Sequence, residues 1–162
     1  LLALTLAACS STGPENTGAS TQNGGAGVAT VTAGSASGSG IAALTDPNNI
    51  LSKRSVFFDF DSFVIKQEAR ALVEAHARFL VQNPQMKMLV QGNTDERGSR
   101  EYNLALGQKR ADVVKQALML LGAKEAQIES VSLGEEKPRC EDRTETCYAE
   151  NRRGDMLYSG EF

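Results

Sequence analysis

Residues 92–111 read GNTDERGSREYNLALGQKRA, and they join the end of an apolar strand to the start of a long helix. The β-branched and apolar residues just before this stretch predict a strand over residues 86–92. A helix is predicted over residues 100–121, with Ser99 as its N-cap. Gly98 is expected to be a left-handed turn residue that admits the helix start. The stretch therefore predicts a strand–loop–helix unit.

Among the charged residues of this unit, Asp95 and Arg110 are the two that are expected to need a partner. The predicted helix has an apolar stripe formed by Leu106, Val113, Val114, Ala117, Leu118 and Leu121. Arg110 lies one turn after Leu106, at the edge of that stripe, so it needs a partner. Asp95 is the nearest carboxylate that the topology offers, and the pair would line a shallow pocket between the strand's C-terminal end and the helix. A structural salt bridge is the alternative, and for an isolated Asp and Arg it is favoured.

The remaining periodicity predicts a single α+β domain. Strands are expected at residues 56–60, 86–92, 128–133 and 155–158, and helices at residues 66–83 and 100–121. The order β-α-β-α-β-β predicts a small mixed sheet with two amphipathic helices packed on it, joined by right-handed crossovers. All six Phe and three Tyr follow position 56, which indicates one core.

The front of the chain differs in composition from the rest. Residues 1–8 form an apolar run that resembles the end of a signal peptide, too short to span a bilayer, and the sequence is expected to start inside a precursor. Cys9 then resembles the lipid-attachment cysteine of a bacterial lipobox; a free or pairing thiol is the alternative. Residues 9–45 are predicted to be a lipidated flexible linker, since Gly and small polar residues predominate. Residues 46–162 form the predicted domain.

Two further cysteines, Cys140 and Cys147, bracket an acidic segment, CEDRTETC, which is predicted to be a loop between the third and fourth strands. In an exported protein they can pair, which would stabilise the fold by about 2 to 3 kcal/mol. A zinc site would need further cysteine or histidine ligands nearby, so the disulfide is favoured.

The sequence offers little for catalysis. The only histidine, His76, lies on the apolar stripe of the first predicted helix, where a packing role is expected. Ser-His-Asp and Cys-His catalysis would need it beside a nucleophile. Asp59 and Asp61 leave a cell-wall glycosidase open, although strand alternation places them on one face only if the strand continues to Asp61. No phosphate loop, zinc motif or dinucleotide fingerprint is present, so no cofactor is predicted. A net charge of −3 with scattered cations argues against nucleic acid.

The pattern GxTDxxGxxxYNxxLxxxRAxxV, followed by the NRR of residues 151–153, resembles the OmpA C-terminal-like peptidoglycan-binding domain. The resemblance covers roughly residues 50–160 and includes VFFDFDS at 56–62 and GEEKP at 134–138. It implies two helices on one side of a small mixed sheet, and a non-catalytic protein that binds the meso-diaminopimelate peptide stem of peptidoglycan. Ligand contacts carry over to Asp95 and Arg110, and pocket-lining positions to Phe60, Asp61, Asn93, Arg97 and Leu106.

The diaminopimelate side chain ends in an ammonium and a carboxylate, which an Asp and an Arg fork could hold together. Simpler roles are a core position for Phe60, a solvated charge for Arg97 and a stripe position for Leu106. Lipoprotein relatives imply an outer-membrane anchor, a periplasmic domain, and TolB and other Tol proteins as partners in envelope integrity and cell division. A role mainly in protein interaction with these partners stays open. Gly154 replaces the larger apolar residue usual in relatives, and predicts weak pairing where the last strand starts.

Overall fold

The computed structural model describes residues 39–162, so the predicted lipid-attachment site at Cys9 and most of the predicted linker lie outside the described residues. Within these residues there are four α-helices, four strands and three single turns of 3₁₀ helix. The helices are α1 (Ser39–Thr45), α2 (Arg70–Gln82), α3 (Arg100–Leu120) and α4 (Glu145–Asn151). The strands are β1 (Ser55–Phe57), β2 (Met88–Asn93), β3 (Ile128–Gly134) and β4 (Arg153–Tyr158). No helix in this part of the chain has the length and apolar character needed to cross a bilayer.

The four strands form one mixed sheet in the order β1-β4-β2-β3. β2 and β3 are parallel, and β4 pairs antiparallel with both β1 and β2. The predicted α+β class, the mixed sheet and the antiparallel return of the last strand are confirmed. Because β4 inserts between β1 and β2, it brings Arg152 and Arg153 beside the C-terminal end of β2.

A single apolar core lies between the sheet and the two long helices. α2 contributes Leu72, Val73, Ala77, Phe79 and Leu80; α3 contributes Ala111, Val114 and Leu118; and the strands contribute Val56, Met88, Val90, Ile128, Met156 and Tyr158. His76 is also fully buried, with Nε2 donating to the Lys53 carbonyl and Nδ1 accepting from the Tyr158 hydroxyl, each at 2.8 Å. The predicted packing role of His76 is confirmed.

Two glycines let α3 approach the end of β2 very closely. A Cβ atom on Gly92 would lie 1.8 Å from the carbonyl oxygen of Gly107, and one on Gly107 would lie 2.9 Å from the carbonyl oxygen of Gly92. Neither position therefore admits a side chain without movement of the backbone. This contact places the first half of α3 directly over the C-terminal edge of the sheet.

Several boundaries differ from those predicted. β1 ends at Phe57, opposite Arg153 where its partner β4 begins, and the chain then turns at Asp61, which has a left-handed φ of 51°. The disulfide between Cys140 and Cys147 is confirmed, but Cys147 lies in α4, which was not predicted. α1 lies within the predicted linker, and its Leu44 is buried in the core. β4 begins at Arg153, two residues before the predicted start. Gly154 pairs with both β1 and β2, so the predicted weak pairing at the start of this strand is wrong.

Candidate ligand-binding site

A small cavity of about 190 Å³ lies where the C-terminal end of β2 meets the N-terminal half of α3. The loop after β1 forms its third wall, and the residue before β4 its fourth. The lining residues are Phe60, Asp61, Thr94, Asp95, Arg97, Gly98, Tyr102, Asn103, Leu106, Arg110 and Arg152. Three guanidinium groups and two carboxylates therefore border one cavity, and such a cluster of interacting charges in a cleft is a candidate functional site.

Arg110 is completely buried, and its hydrogen bonds all go to backbone carbonyls. Nε donates to Ser62 at 2.8 Å, Nη1 to Asn93 at 2.9 Å and Nη2 to Asp59 at 3.1 Å. Burial lowers the pKa of Arg110 to about 10, although the nearby Asp95 charge acts in the other direction, so the side chain stays charged at neutral pH. No carboxylate of residues 39–162 forms an ion pair with it. The predicted direct pair between Asp95 and Arg110 is therefore wrong.

Asp95 is paired with two other arginines. Its Oδ1 accepts from the backbone N–H of Arg97 at 3.1 Å and from Nε of Arg97 at 3.2 Å. Its Oδ2 accepts from Nη2 of Arg97 at 2.7 Å and from Nη1 of Arg152 at 3.1 Å. Burial alone would raise the pKa of Asp95, but the hydrogen bonds from Arg97 and Arg152 outweigh it and hold that pKa below its usual value. Asp95 is therefore ionised at neutral pH.

Arg97 links three segments of the chain. Besides its contacts with Asp95, its Nη1 lies 3.3 Å from Glu145 Oε2 at the start of α4. Its guanidinium lies 4.1 Å from the centroid of the Phe60 ring and 4.4 Å from that of Tyr148. The hydrogen bond to Asp95 is the main reason that the pKa of Arg97 is raised. Three segments therefore meet at the Arg97 side chain: its own loop, the loop after β1, and helix α4.

Asp61 and Tyr102 close the opposite side of the cavity. The Tyr102 hydroxyl donates to the Asp61 carboxylate, and this bond raises the pKa of Tyr102. Asp61 is the one non-glycine residue with a positive φ among residues 39–162. A residue other than glycine in this conformation is uncommon, and such positions cluster where a binding site fixes the backbone. Its carboxylate is exposed at the mouth of the cavity.

Comparison with known proteins places this geometry in a family. Residues 57–152 match the OmpA family model, and this range includes every lining residue of the cavity. The chain belongs to the OmpA family. A peptidoglycan-associated lipoprotein from Pseudomonas putida is 39% identical over 91% of this chain and 86% of its own length. One of the same name from Pasteurella multocida is 47% identical over 64% of this chain and 69% of its own length.

Solved structures agree with the family assignment. The crystal structure of the peptidoglycan-associated lipoprotein from Burkholderia pseudomallei has a TM-score of 0.71 and 55% identity, covering 72% of this chain and 99% of that one. The C-terminal domain of Helicobacter pylori MotB, at 22% identity and a TM-score of 0.61, covers 66% of this chain and 84% of its own. At that identity the likeness extends to the OmpA-like fold alone.

The cavity gathers most of the residues singled out in the sequence. Phe60, Asp61, Asp95, Arg97, Leu106 and Arg110 all line it. Phe60 is not a core residue, since 57% of its surface is exposed, and Arg97 is paired and stacked rather than simply solvated. Leu106 is buried and also borders the cavity. Asn93 does not line it: its amide group donates to the Gln91 carbonyl, and only its backbone oxygen, bonded to Arg110, supports the site.

Four further residues line the cavity without having been predicted to do so: Arg152, Tyr102, Asn103 and Thr94. For Arg152 a signal was present in the NRR of residues 151–153, and for Tyr102 and Asn103 in the YN of the central motif. Two buried side-chain atoms at this end of β2, Oδ1 of Asn93 and Oγ1 of Thr94, have no hydrogen-bond partner within the described residues. Among residues 39–162, no cluster of three or more Asp, Glu, His or Cys side chains is placed to hold a metal ion.

Proposed function

We propose that this chain is a non-catalytic envelope lipoprotein that holds the outer membrane to the cell wall by binding the diaminopimelate end of a peptidoglycan stem. The anchor would be Cys9, acylated as its lipobox-like position implies, with the domain of residues 46–162 in the periplasm beyond the linker of residues 9–45. Membership of the OmpA family and the names of the closely similar lipoproteins support the cell-wall partner.

One observation carries the choice of ligand: Arg110 is a buried cation at the cavity whose partners are all neutral carbonyls. A guanidinium has five N–H donors, and three are used here, which leaves two on the terminal nitrogens. Its charge acts in the cavity with little screening, because it has no surface in contact with bulk solvent. A ligand carboxylate would supply the anionic partner that Arg110 does not have among residues 39–162, in a bidentate, charge-assisted contact.

The ammonium of the same ligand would lie between Asp61 and Asp95, the two carboxylates of the lining. Both belong to the cavity, and the Asp61 carboxylate is exposed at its mouth. A diaminopimelate side chain presents its ammonium and carboxylate on one carbon, so the two charges must be met within a few ångströms of each other. A cavity of about 190 Å³ that is bordered by two carboxylates and three guanidinium groups suits such a compact zwitterion.

The geometry gives no support to the glycosidase alternative. Hydrolysis of a sugar bond needs one carboxylic acid held protonated opposite a second carboxylate. Asp95 is held ionised by two arginines, and Asp59 does not border the cavity but pairs with Lys66 at 2.6 Å. The site therefore favours binding over cleavage of its ligand.

A protein partner on the same face is favoured by the exposed apolar residues of the loop after β1. Phe60, Phe63 and Val64 of this loop expose 57%, 43% and 67% of their surfaces, Phe57 at the end of β1 exposes 42%, and Phe60 also lines the cavity. Clustered exposed aromatic residues are typical of protein interfaces. TolB and other Tol proteins are the partners we propose for this face.

Sedimentation of the purified protein with intact sacculi tests both roles. We expect the protein to sediment with the sacculi, no muropeptide to appear in the supernatant, and added TolB to lower the bound fraction. Failure to sediment would remove the peptidoglycan assignment. Released muropeptides would show a hydrolase, and binding unaffected by saturating TolB would place that partner, if it binds, on another face.

A further inference from the structure

The structure raises a difficulty for any ligand ammonium, because the acceptor sites of Asp95 are already filled. A carboxylate offers about four lone-pair sites. Asp95 receives four donors: the backbone N–H, Nε and Nη2 of Arg97, and Nη1 of Arg152. A ligand cation can reach Asp95 only if one of these donors leaves.

Of the two arginines, Arg97 is the one that can move. The Arg152 side chain is only 7% exposed, and it is also held by the Phe58 carbonyl at 3.2 Å and by Glu145 at 2.7 Å. The Arg97 side chain is 34% exposed and comes from a loop rather than from a strand or helix. Its remaining contacts, with Glu145 and the rings of Phe60 and Tyr148, do not involve Asp95, so they can hold the guanidinium after it releases the carboxylate.

Such a release would leave no charge uncompensated. Asp95 would keep Arg152 as its buried partner, and the incoming ammonium would replace the departing guanidinium, one cation for one cation. Losing a partner from a buried carboxylate without replacement is costly, so a ligand that carries no cation would leave Arg97 in place. The arrangement discriminates by charge as well as by shape.

We infer that Arg97 is an internal competitor for the ammonium position: it occupies Asp95 in the free protein and must be displaced by the ligand's cation. This inference rests on the proposed function and assigns Arg97 a role in specificity rather than in holding the ligand. Arg97 lowers the affinity for every ammonium-bearing ligand. When no such ligand is bound, it provides the ionised Asp95 with a positively charged partner.

The test compares Arg97→Gln with Arg143→Gln, a matched loss of one positive charge. Arg143 pairs with Glu96 on the surface, is 83% exposed and does not line the cavity. Binding of a diaminopimelate stem peptide, and of the same peptide acetylated on its side-chain amine, is measured by calorimetry with the full chain. For Arg97→Gln we expect about two- to fivefold tighter binding of the free peptide, the effect of removing a partly exposed ion pair. Binding of the acetylated peptide should not tighten, and Arg143→Gln should match the wild type.

Arg97→Lys provides a second variant, because lysine keeps the charge but cannot form the two-pronged contact with Asp95. It should bind the free peptide with an affinity between those of the wild type and Arg97→Gln. Equal or weaker binding by Arg97→Gln, with the wild type binding normally, would overturn the competitor role and leave the proposed function intact. If the wild type itself does not bind the peptide, the proposed function and this inference both fail.

Discussion

Arg110 shows how burial changes the role of a single side chain. The helical pattern places it at the edge of an apolar stripe, and the structure buries it entirely beneath the loop after β1. Its acceptors, the carbonyls of Asp59 and Ser62, lie 51 and 48 residues away in sequence. The position of Arg110 beside the cavity could be predicted, but not these partners, because backbone carbonyls carry no sequence signal.

The direction of the Asn93 side chain also could not be predicted from the sequence pattern. The pairing of β2 with β3 shifts register between Gly92 and Asn93, so strand alternation cannot predict where the Asn93 side chain lies. The structure turns it toward Gln91 and Asp155, behind the cavity. By contrast, Asp95 and Arg97 follow directly from the TDERG motif, since both lie in the short loop that the motif encodes.

Replacing Asp95 with Asn is expected to destabilise the fold as well as the site. The change leaves Arg97 and the buried Arg152 without their shared anion, and breaking a buried pair costs about 3 to 5 kcal/mol. Asp59→Asn is the matched control: Asp59 pairs with Lys66 on the surface, where the cost is about 0 to 1 kcal/mol. Urea denaturation of the two variants measures the difference, and similar midpoints would refute the buried network.

Two helices, α1 and α4, were not predicted, and of these α4 contacts the site through Arg97. A seven-residue helix is marginal by itself, so its periodicity is too short to recognise. Tertiary contacts stabilise it: the Thr144 side chain caps it, the Cys140–Cys147 disulfide fastens it, and the Asn151 amide bonds the backbone of Cys140. The acidic CEDRTETC segment was therefore predicted to be a loop, although its cysteine pairing was predicted correctly.

The order of the strands in the sheet also could not be predicted from the sequence. β-α-β units predict that β1, β2 and β3 run in the same direction, which they do, but several positions in the sheet suit an antiparallel fourth strand. Its insertion between β1 and β2 is what brings Arg152 to Asp95. The cavity therefore depends on where β4 pairs within the sheet, and not on the motif of residues 92–111 alone.

The close approach of α3 to β2 can be tested at Gly92. A methyl group in the Gly92→Ala variant would overlap the Gly107 carbonyl, so we expect a loss of about 3 kcal/mol or more in unfolding free energy. Gly154→Ala is the control, because Gly154 is the strand partner of Gly92 and its Cβ would lie 3.5 Å from Phe58 and Val114 side chains, an ordinary contact. Equal stability of the two variants in chemical denaturation would contradict the predicted backbone contact.

At the scale of the whole molecule, the His76 hydrogen bonds tie α2, β4 and the segment before β1 into one core. Burial lowers the pKa of His76 from 6.5 to about 4, so between these values the folded state binds fewer protons than the unfolded state. Neutral, buried His76 therefore contributes fully to the free energy of unfolding above pH 6.5, and this contribution is lost as the pH falls toward 4.

Between pH 7 and pH 5 the wild type should lose about 2 kcal/mol of unfolding free energy through this one residue. Because the chain has a single histidine, the loss can be assigned: His76→Gln, measured by denaturant titration at both pH values, should show a much flatter dependence. A variant with the same slope as the wild type would show that another group controls the acid sensitivity.

The central claim is that a buried cation at the cavity binds the carboxylate of a diaminopimelate end. The most direct measurement is calorimetric binding of the wild-type protein to a stem peptide and to the same peptide amidated at its side-chain carboxylate. A peptide amidated at its C-terminal carboxylate serves as the control for overall charge. Side-chain amidation should weaken binding at least about tenfold, the effect of losing one charge-assisted contact, while the control peptide binds as before. Equal affinity for the free and side-chain-amidated peptides would contradict the assignment of Arg110 to the carboxylate.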